Sequence, residues 1–169
     1  MKTIAVIVPS YNQQDFLLET IESVLAQKRK PDEFFVIDDG STDKSLEYAK
    51  TYEKEGVKII SQVNKGLASA RNTGIMNATT DYILFLDADD LLLENAIERI
   101  MEIAEKTNAD VIAPSFRCFG TRQGDVILQP QIIIQDFIGG NRLGYFSAIK
   151  RSVLLEVGGY SPRMVEGYE

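Results

Sequence analysis

Short apolar stretches that alternate with helix-like segments constrain the fold of this chain more than any other feature. They span residues 4–8, 34–37, 57–60, 82–86 and, more briefly, 111–113. Apolar runs of this length, bounded by turn residues, are typical of strands buried on both faces of a sheet. The intervening segments repeat apolar residues at helical spacing. The sequence therefore predicts a single α/β domain with a mostly parallel sheet and helices on both faces.

The pattern becomes less regular after Pro114. Residues 126–128 and 131–134 are predicted to form a hairpin or edge strands, and Gly139-Gly140 interrupts the chain. Residues 152–157 are predicted to form a short helix that Gly158-Gly159 ends. The chain thus divides into a regular α/β half, residues 1–113, and a second part, residues 114–169.

Acidic residues cluster where two of the predicted strands end. Asp38-Asp39 follows the second strand, and Asp87, Asp89 and Asp90 follow the fourth. In an open parallel sheet, ligands bind beyond the carboxyl ends of the strands. Five acids at one edge repel one another, and a bound cation or the hydrogen-bond donors of a ligand would offset that repulsion.

Helix capping or a turn is the alternative explanation for part of this polar cluster. Ser41, Thr42 and Asp43 precede a predicted helix and are typical capping residues. Asn12 is likewise predicted to cap the first helix, after residues 4–8. Asp90 fits a solvated turn as well as a ligand contact.

Composition limits the chemistry that the chain can perform. It contains no histidine and a single cysteine, Cys118, which excludes histidine-based catalysis, histidine/cysteine zinc sites and an internal disulfide. A metal must therefore be held by oxygen ligands, which favours Mn²⁺ or Mg²⁺. The net charge of −7 argues against a nucleic-acid partner, since such surfaces are basic.

The pair Asp87-x-Asp89 is the strongest candidate for a metal site. Its carboxylates are two residues apart and directly follow a buried strand, where they could hold a cation that bridges diphosphate oxygens. Neither a Gly-x-Gly-x-x-Gly loop nor a Walker A motif is present. Basic side chains must then help to bind phosphate, and Arg71, on the helix before this strand, is the best candidate.

Several motifs, taken in order, resemble the family-2 glycosyltransferases, which have the GT-A (Rossmann-like) fold. The resemblance spans nearly the whole chain, and its ordered set of motifs is highly specific although each motif alone is not. The matching segments are residues 8–12, 23–27, 36–43, 64–66, 70–74, 85–90, 158–160 and 166–169.

The resemblance implies a role for individual residues. Pro9 and Tyr11 would pack around the base and ribose of a nucleoside diphosphate sugar, and Asp39, with Asp38 beside it, would accept a hydrogen bond from the base. Arg71 would lie near the base or diphosphate. Two further roles follow: Asp87 would approach the ribose, and Asp89, with Asp87, would ligate Mn²⁺ or Mg²⁺.

The resemblance also implies the reaction, which is inverting transfer of a sugar, with UDP as the expected nucleotide, to a glycan or lipid-linked acceptor in polysaccharide biosynthesis. Residues 1–113 would bind the donor, and residues 114–169 would begin the acceptor-side half. Glu169 matches the first member of the family's catalytic Glu-Asp pair, and its Asp is absent, which suggests a truncated chain. The expected location is the cytoplasm, with peripheral association of the full-length protein at the inner face of the membrane.

Three alternatives stay open at this point. The chain could be a nucleotide-binding but inactive fragment, because the base is missing. It could be a phosphatase or phosphotransferase with Asp87 as nucleophile, although residues 110–169 offer no further Asp-Asp pair. A phosphoacceptor receiver domain is the third alternative, but such domains carry their acidic pair after the first strand.

Overall fold

The computed structural model describes residues 1–120, 123–127 and 146–161. The secondary-structure elements, in chain order, are β1 (Ile4–Ser10), α1 (Leu17–Leu25), β2 (Glu33–Asp38), α2 (Ser45–Lys50), a 3₁₀ turn (Glu53–Glu55), β3 (Lys58–Ser61), α3 (Leu67–Asn77), β4 (Tyr82–Phe85), α4 (Ala96–Thr107), β5 (Val111–Ile112), β6 (Phe116–Cys118), β7 (Gly124–Val126), β8 (Ala148–Lys150) and α5 (Arg151–Glu156). The predicted alternation of strands and helices is confirmed. Within the described ranges, no helix has both the length and the apolar character needed to cross a membrane.

The main sheet has the strand order β3-β2-β1-β4-β8-β5. Strands β1 to β4 pair in parallel, and β8 pairs antiparallel with both β4 and β5. The mostly parallel sheet is therefore confirmed, but β8 was not predicted. This strand has only three residues, so it lacks the length and the periodicity that would identify it in the sequence.

Alternate residues of β1 face two separate apolar layers, as the two-residue period of a strand requires. Ile4, Val6 and Val8 pack with α1 and α4, whereas Ala5 and Ile7 pack with α3 and α5. Seven apolar residues of α1 and α4 are fully or almost fully buried: Leu17, Ile21, Val24, Ile97, Ile100, Met101 and Ala104. Both faces of the sheet are thus covered by helices.

The region after Pro114 forms a small separate hairpin. Strands β6 and β7 pair antiparallel, with Phe116 opposite Val126. This hairpin was not predicted, and its second strand ends at Val126. The predicted pairing of residues 126–128 with 131–134 involves residues outside the described ranges and stays a prediction. Residues 131–134 and Gly139-Gly140 lie outside the described residues.

Helix α3 approaches β1 most closely at Gly74. A Cβ atom at this position would lie 2.6 Å from both Cδ1 and Cγ2 of Ile7, a fully buried side chain. Helix propensity alone predicts that Gly74→Ala stabilises the protein by about 1 kcal/mol. We expect the opposite sign, a loss of about 1–3 kcal/mol in the free energy of unfolding, because the core has no room for a methyl group.

Urea denaturation of Gly74→Ala, Ile7→Ala and the double variant would measure this effect. Because Ile7→Ala removes both clashing atoms, the loss in the double variant should be clearly smaller than the sum of the two single losses. Stabilisation by Gly74→Ala alone would show that β1 and α3 separate without cost.

Candidate active site

A cavity of about 430 Å³ lies beyond the carboxyl ends of β1, β2 and β4. The predicted site residues that line it are Pro9, Tyr11, Asp39, Asp87 and Asp89. The other lining residues are Ser10, Gln13, Asn64, Gly66, Leu67, Ala70 and Ala88. The structure therefore brings together residues from three strand ends and from the start of α3.

Asp39 forms part of the cavity wall and also holds the start of α3. It is buried, and its Oδ1 accepts hydrogen bonds from the Gln62 side chain at 2.7 Å and the Lys65 amide at 3.0 Å. Its Oδ2 accepts a bond from the Gly66 amide at 2.8 Å. A carboxylate in this position complements the positive end of the helix dipole. Three donors thus fix the direction in which the Asp39 carboxylate faces the cavity.

Asp38 occupies a different environment from its neighbour. The Ser61 hydroxyl donates to its Oδ2 at 2.9 Å, and the Ser41 amide donates to its Oδ1 at 3.3 Å. Asp38 is buried and is not among the residues that line the cavity. In this structure its carboxylate ties the loop after β2 to β3, whereas only Asp39 of the pair reaches the site.

Arg71 is fully buried beneath the cavity instead of projecting into it. Its Nη2 donates to Asp87 Oδ1 at 2.9 Å. Its guanidinium carbon lies 5.9 Å from the centre of the Phe85 ring and 5.2 Å from that of the Tyr160 ring. The flat faces of a guanidinium are poorly hydrated and pack well against aromatic rings, while the N–H groups at its edge donate hydrogen bonds to carboxylates. Arg71 therefore acts in this structure mainly on Asp87.

The three acids after β4 repel one another. Burial raises the pKa of the Asp90 carboxyl to about 6, and the charges of Asp89 and Asp87 add to this shift. The side chain of Asp87 is 26% exposed, and Asp89 is exposed at the cavity. Within the described residues, no three acidic or cysteine side chains are grouped as a complete metal site. Two carboxylates at this edge therefore need further oxygen ligands to hold a cation.

The loop that carries Asp89 is held in place by two polar side chains that the sequence reasoning missed, Thr20 of α1 and Gln27 just after α1 ends. The Thr20 hydroxyl donates to the Ala88 carbonyl at 2.8 Å. The Gln27 amide donates to the Leu93 carbonyl at 2.8 Å and accepts from the Ile97 amide at 3.1 Å. Both side chains are fully buried. For Thr20 the signal in the sequence is a polar residue on the buried face of an amphipathic helix.

The loop after β1 is braced against the loop after β2. The Asn12 side chain accepts from the Thr42 amide at 2.8 Å, and the Asn12 amide donates to the Ser41 hydroxyl at 3.0 Å. Asn12 has a φ of 54°. The prediction that Asn12 caps α1 is wrong, because that helix begins after Phe16 without a side-chain cap. Helix α2 likewise begins after Lys44 without a side-chain cap from that residue, although the Asp43 carboxylate, one residue earlier, accepts from the Ser45 amide at 2.9 Å.

Glu169 and the motif of residues 166–169 lie outside the described residues. The predicted position of the catalytic pair therefore stays a prediction. The same holds for the functional division of the chain at residue 113.

Comparison with known proteins agrees with the geometry. The chain matches the sequence model of Glycosyl transferase family 2 over residues 5–165. It is 39% identical over 115 residues to the uncharacterized glycosyltransferase EpsJ of Bacillus subtilis (strain 168), and the match covers 67% of the chain and 33% of EpsJ. The matched segment thus spans about a third of the length of that relative.

Solved structures share the fold at low identity. Staphylococcus aureus TarS 1-349, in complex with UDP-GlcNAc, has a TM-score of 0.80 at 21% identity, covering 94% of this chain and 48% of that one. Mannosyltransferase PcManGT from Pyrobaculum calidifontis, in complex with GDP-Man and Mn²⁺, has a TM-score of 0.71 at 20% identity, covering 96% and 48%. The predicted GT-A fold is confirmed.

Proposed function

The chain belongs to glycosyltransferase family 2, and from this premise we propose that it forms the donor-binding site of an enzyme that transfers a sugar from a nucleoside diphosphate sugar, with UDP as its nucleotide. The acceptor is proposed to be a glycan or a lipid-linked glycan in polysaccharide biosynthesis. The observation that carries the proposal is the cavity beyond β1, β2 and β4, which Tyr11, Asp39, Asp87 and Asp89 line together.

The cavity offers complementary chemistry to each part of a nucleotide. Tyr11 is exposed at the cavity, where its ring can pack against a base or ribose. Asp39 is an acceptor held by three donors, so it favours a base that presents an N–H group over one that presents only acceptors. Asp87, fixed by Arg71, is placed to accept from ribose hydroxyls.

The acidic edge fits a divalent cation held jointly with the nucleotide. Asp89 and Asp87 are hard oxygen ligands of the kind that Mn²⁺ and Mg²⁺ take. Burial, with the neighbouring charges of Asp89 and Asp87, raises the pKa of Asp90. Asp89 and Asp87 would hold such a cation, and it would supply charge neutralisation for the departing diphosphate. Because two carboxylates are too few for a full coordination sphere, the remaining oxygen ligands would have to come from elsewhere, for example from the diphosphate.

The proposed reaction is a single displacement with inversion. The acceptor hydroxyl attacks the anomeric carbon as the bond from that carbon to the diphosphate breaks, and a carboxylate takes the hydroxyl proton. The predicted position of this base is at or next to Glu169, outside the described residues. Binding of the donor nucleotide does not require the base, so it tests the proposal directly.

Calorimetric titration with UDP, first with Mn²⁺ and then with EDTA, should show that Mn²⁺ tightens UDP binding by about 10- to 100-fold, a typical range for coupled ligands. By the same linkage, UDP should tighten Mn²⁺ binding by the same factor. GDP and dTDP serve as matched competitors that test the base. Absence of binding to all three nucleotides by a folded sample would contradict the proposal.

A further inference from the structure

The segment Gly158-Gly159-Tyr160 turns the chain back onto α3 after α5 ends. Both glycines have positive φ, 81° and 73°. The Asn72 side chain then makes two hydrogen bonds to the backbone of Tyr160, donating to its carbonyl and accepting from its amide, each at 2.8 Å. The backbone of Tyr160 is thereby fixed next to the residue that follows Arg71.

Contact between Gly159 and Asn72 is too close for any side chain. A Cβ atom on Gly159 would lie 2.4 Å from Asn72 Oδ1, whereas one on Gly158 would meet no atom within 4 Å. Both positions favour glycine by their backbone conformation. At Gly159 a side chain would also clash with Asn72, whereas at Gly158 it would not. Alanine substitutions at the two positions therefore separate the effect of this contact from the effect of backbone conformation.

The Tyr160 ring and the Phe85 ring pack against each other, and the Arg71 guanidinium lies next to both. The two rings pack edge-to-face, with ring centres 5.3 Å apart and planes at 87°. The guanidinium carbon lies within 6 Å of both ring centres, the usual range for a cation–π contact. Tyr160 itself is not among the residues that line the cavity.

We propose that Tyr160 is a positioning residue of the nucleotide site, which acts by holding the Arg71 guanidinium and through it the carboxylate of Asp87. The inference rests on the function proposed above and deepens it. An arginine side chain has several flexible torsions, and simultaneous contact with two rings restricts them. Since Asp87 forms the cavity wall, the orientation of its carboxylate depends on where Arg71 is held.

The first test compares Tyr160→Leu with Tyr160→Phe in the same UDP titrations. Tyr160→Leu should weaken UDP binding in the presence of Mn²⁺ by about tenfold, through loss of a desolvated cation–π contact. Tyr160→Phe keeps the ring over Arg71 and should restore most of that affinity. Tyr52→Leu, which removes a half-buried tyrosine packed against the opposite apolar layer, controls for a general loss of stability.

The second test asks whether Tyr160 acts through Arg71. Lysine keeps the charge of Arg71 but not its planar face, so Tyr160→Leu should weaken UDP binding by less than about twofold in an Arg71→Lys background. Gly159→Ala should weaken UDP binding more than Gly158→Ala, since only the first displaces Asn72. Thermal melts of each variant establish that the samples are folded.

The outcomes separate this inference from the proposed function. If the unaltered protein binds none of the nucleotides, the proposed function fails. The positioning role is overturned if the unaltered protein binds UDP with Mn²⁺ and the Tyr160→Leu variant binds it with the same affinity. It is also overturned if Tyr160→Leu and Tyr52→Leu have the same UDP affinity. The role is overturned as well if Tyr160→Leu weakens UDP binding equally with Arg71 and with Lys at position 71. The same holds if Tyr160→Phe does not restore the affinity for UDP.

Discussion

Replacement of Asp89 by alanine is expected to abolish the difference between UDP binding with Mn²⁺ and UDP binding with EDTA. Asp89 lines the cavity and is exposed there, so its carboxylate can reach a cation that also contacts the diphosphate. Without it, one acidic ligand is left at the cavity after β4. We expect UDP affinity in Mn²⁺ to fall by about 10- to 100-fold, the full coupling between the two ligands.

Asp90→Asn is the matched control for Asp89→Ala. It removes one negative charge from the same loop, but Asp90 is not among the residues that line the cavity. We expect the Mn²⁺ dependence of UDP binding to persist in this variant. If Asp89→Ala keeps the metal dependence, or if Asp90→Asn loses it to the same extent, the assignment of the metal ligand to Asp89 is wrong.

Replacement of Arg71 by methionine is expected to produce the largest loss of stability. Arg71 is 1% exposed, and its removal leaves the Asp87 carboxylate without this 2.9 Å ion pair. Removal of one partner from a buried ion pair typically costs about 3–5 kcal/mol. We expect the lower end of that range, about 3 kcal/mol in the free energy of unfolding, because Asp87 keeps partial access to water.

Urea denaturation of Arg71→Met would measure this loss, with two further variants for comparison. Arg99→Met removes an exposed arginine paired with Glu102 at 3.3 Å, and its effect should stay within about 0.5 kcal/mol. Addition of Asp87→Asn to Arg71→Met should recover part of the lost stability, because it removes the negative charge that Arg71 offsets. An effect of Arg71→Met no larger than that of Arg99→Met would contradict the structural role of the buried pair.

The parallel sheet and the position of its ligand edge could be predicted from the sequence. Apolar runs such as residues 34–37 require strands buried on both faces, and strands joined through helices must run parallel. Parallel strands place their carboxyl ends at one edge, so Asp39 and Asp87 had to approach one another. Their presence in one cavity follows from local patterns that the sequence displays directly.

The finer arrangement of the site depends on contacts between residues far apart in the chain. Asn12 is of a residue type that is common at helix caps, yet its side chain bonds to Thr42, thirty residues later. Thr20, on α1, and Gln27, just after it, fix the loop after β4 from positions more than sixty residues earlier. A propensity for capping states only that a side chain can bond to the backbone, and the tertiary fold decides which backbone lies within reach.

The sequence by itself determined that this chain forms an α/β sheet with acids at one edge, because burial and periodicity are properties of each segment alone. Only the tertiary structure decided which member of the Asp38-Asp39 pair reaches the cavity. It also decided that Arg71 is buried against the Phe85 and Tyr160 rings. The physical reason is that side-chain direction and charge burial depend on what neighbouring elements supply: the donors around Asp39 come from the residues before α3, and the ring over Arg71 comes from a segment almost ninety residues later.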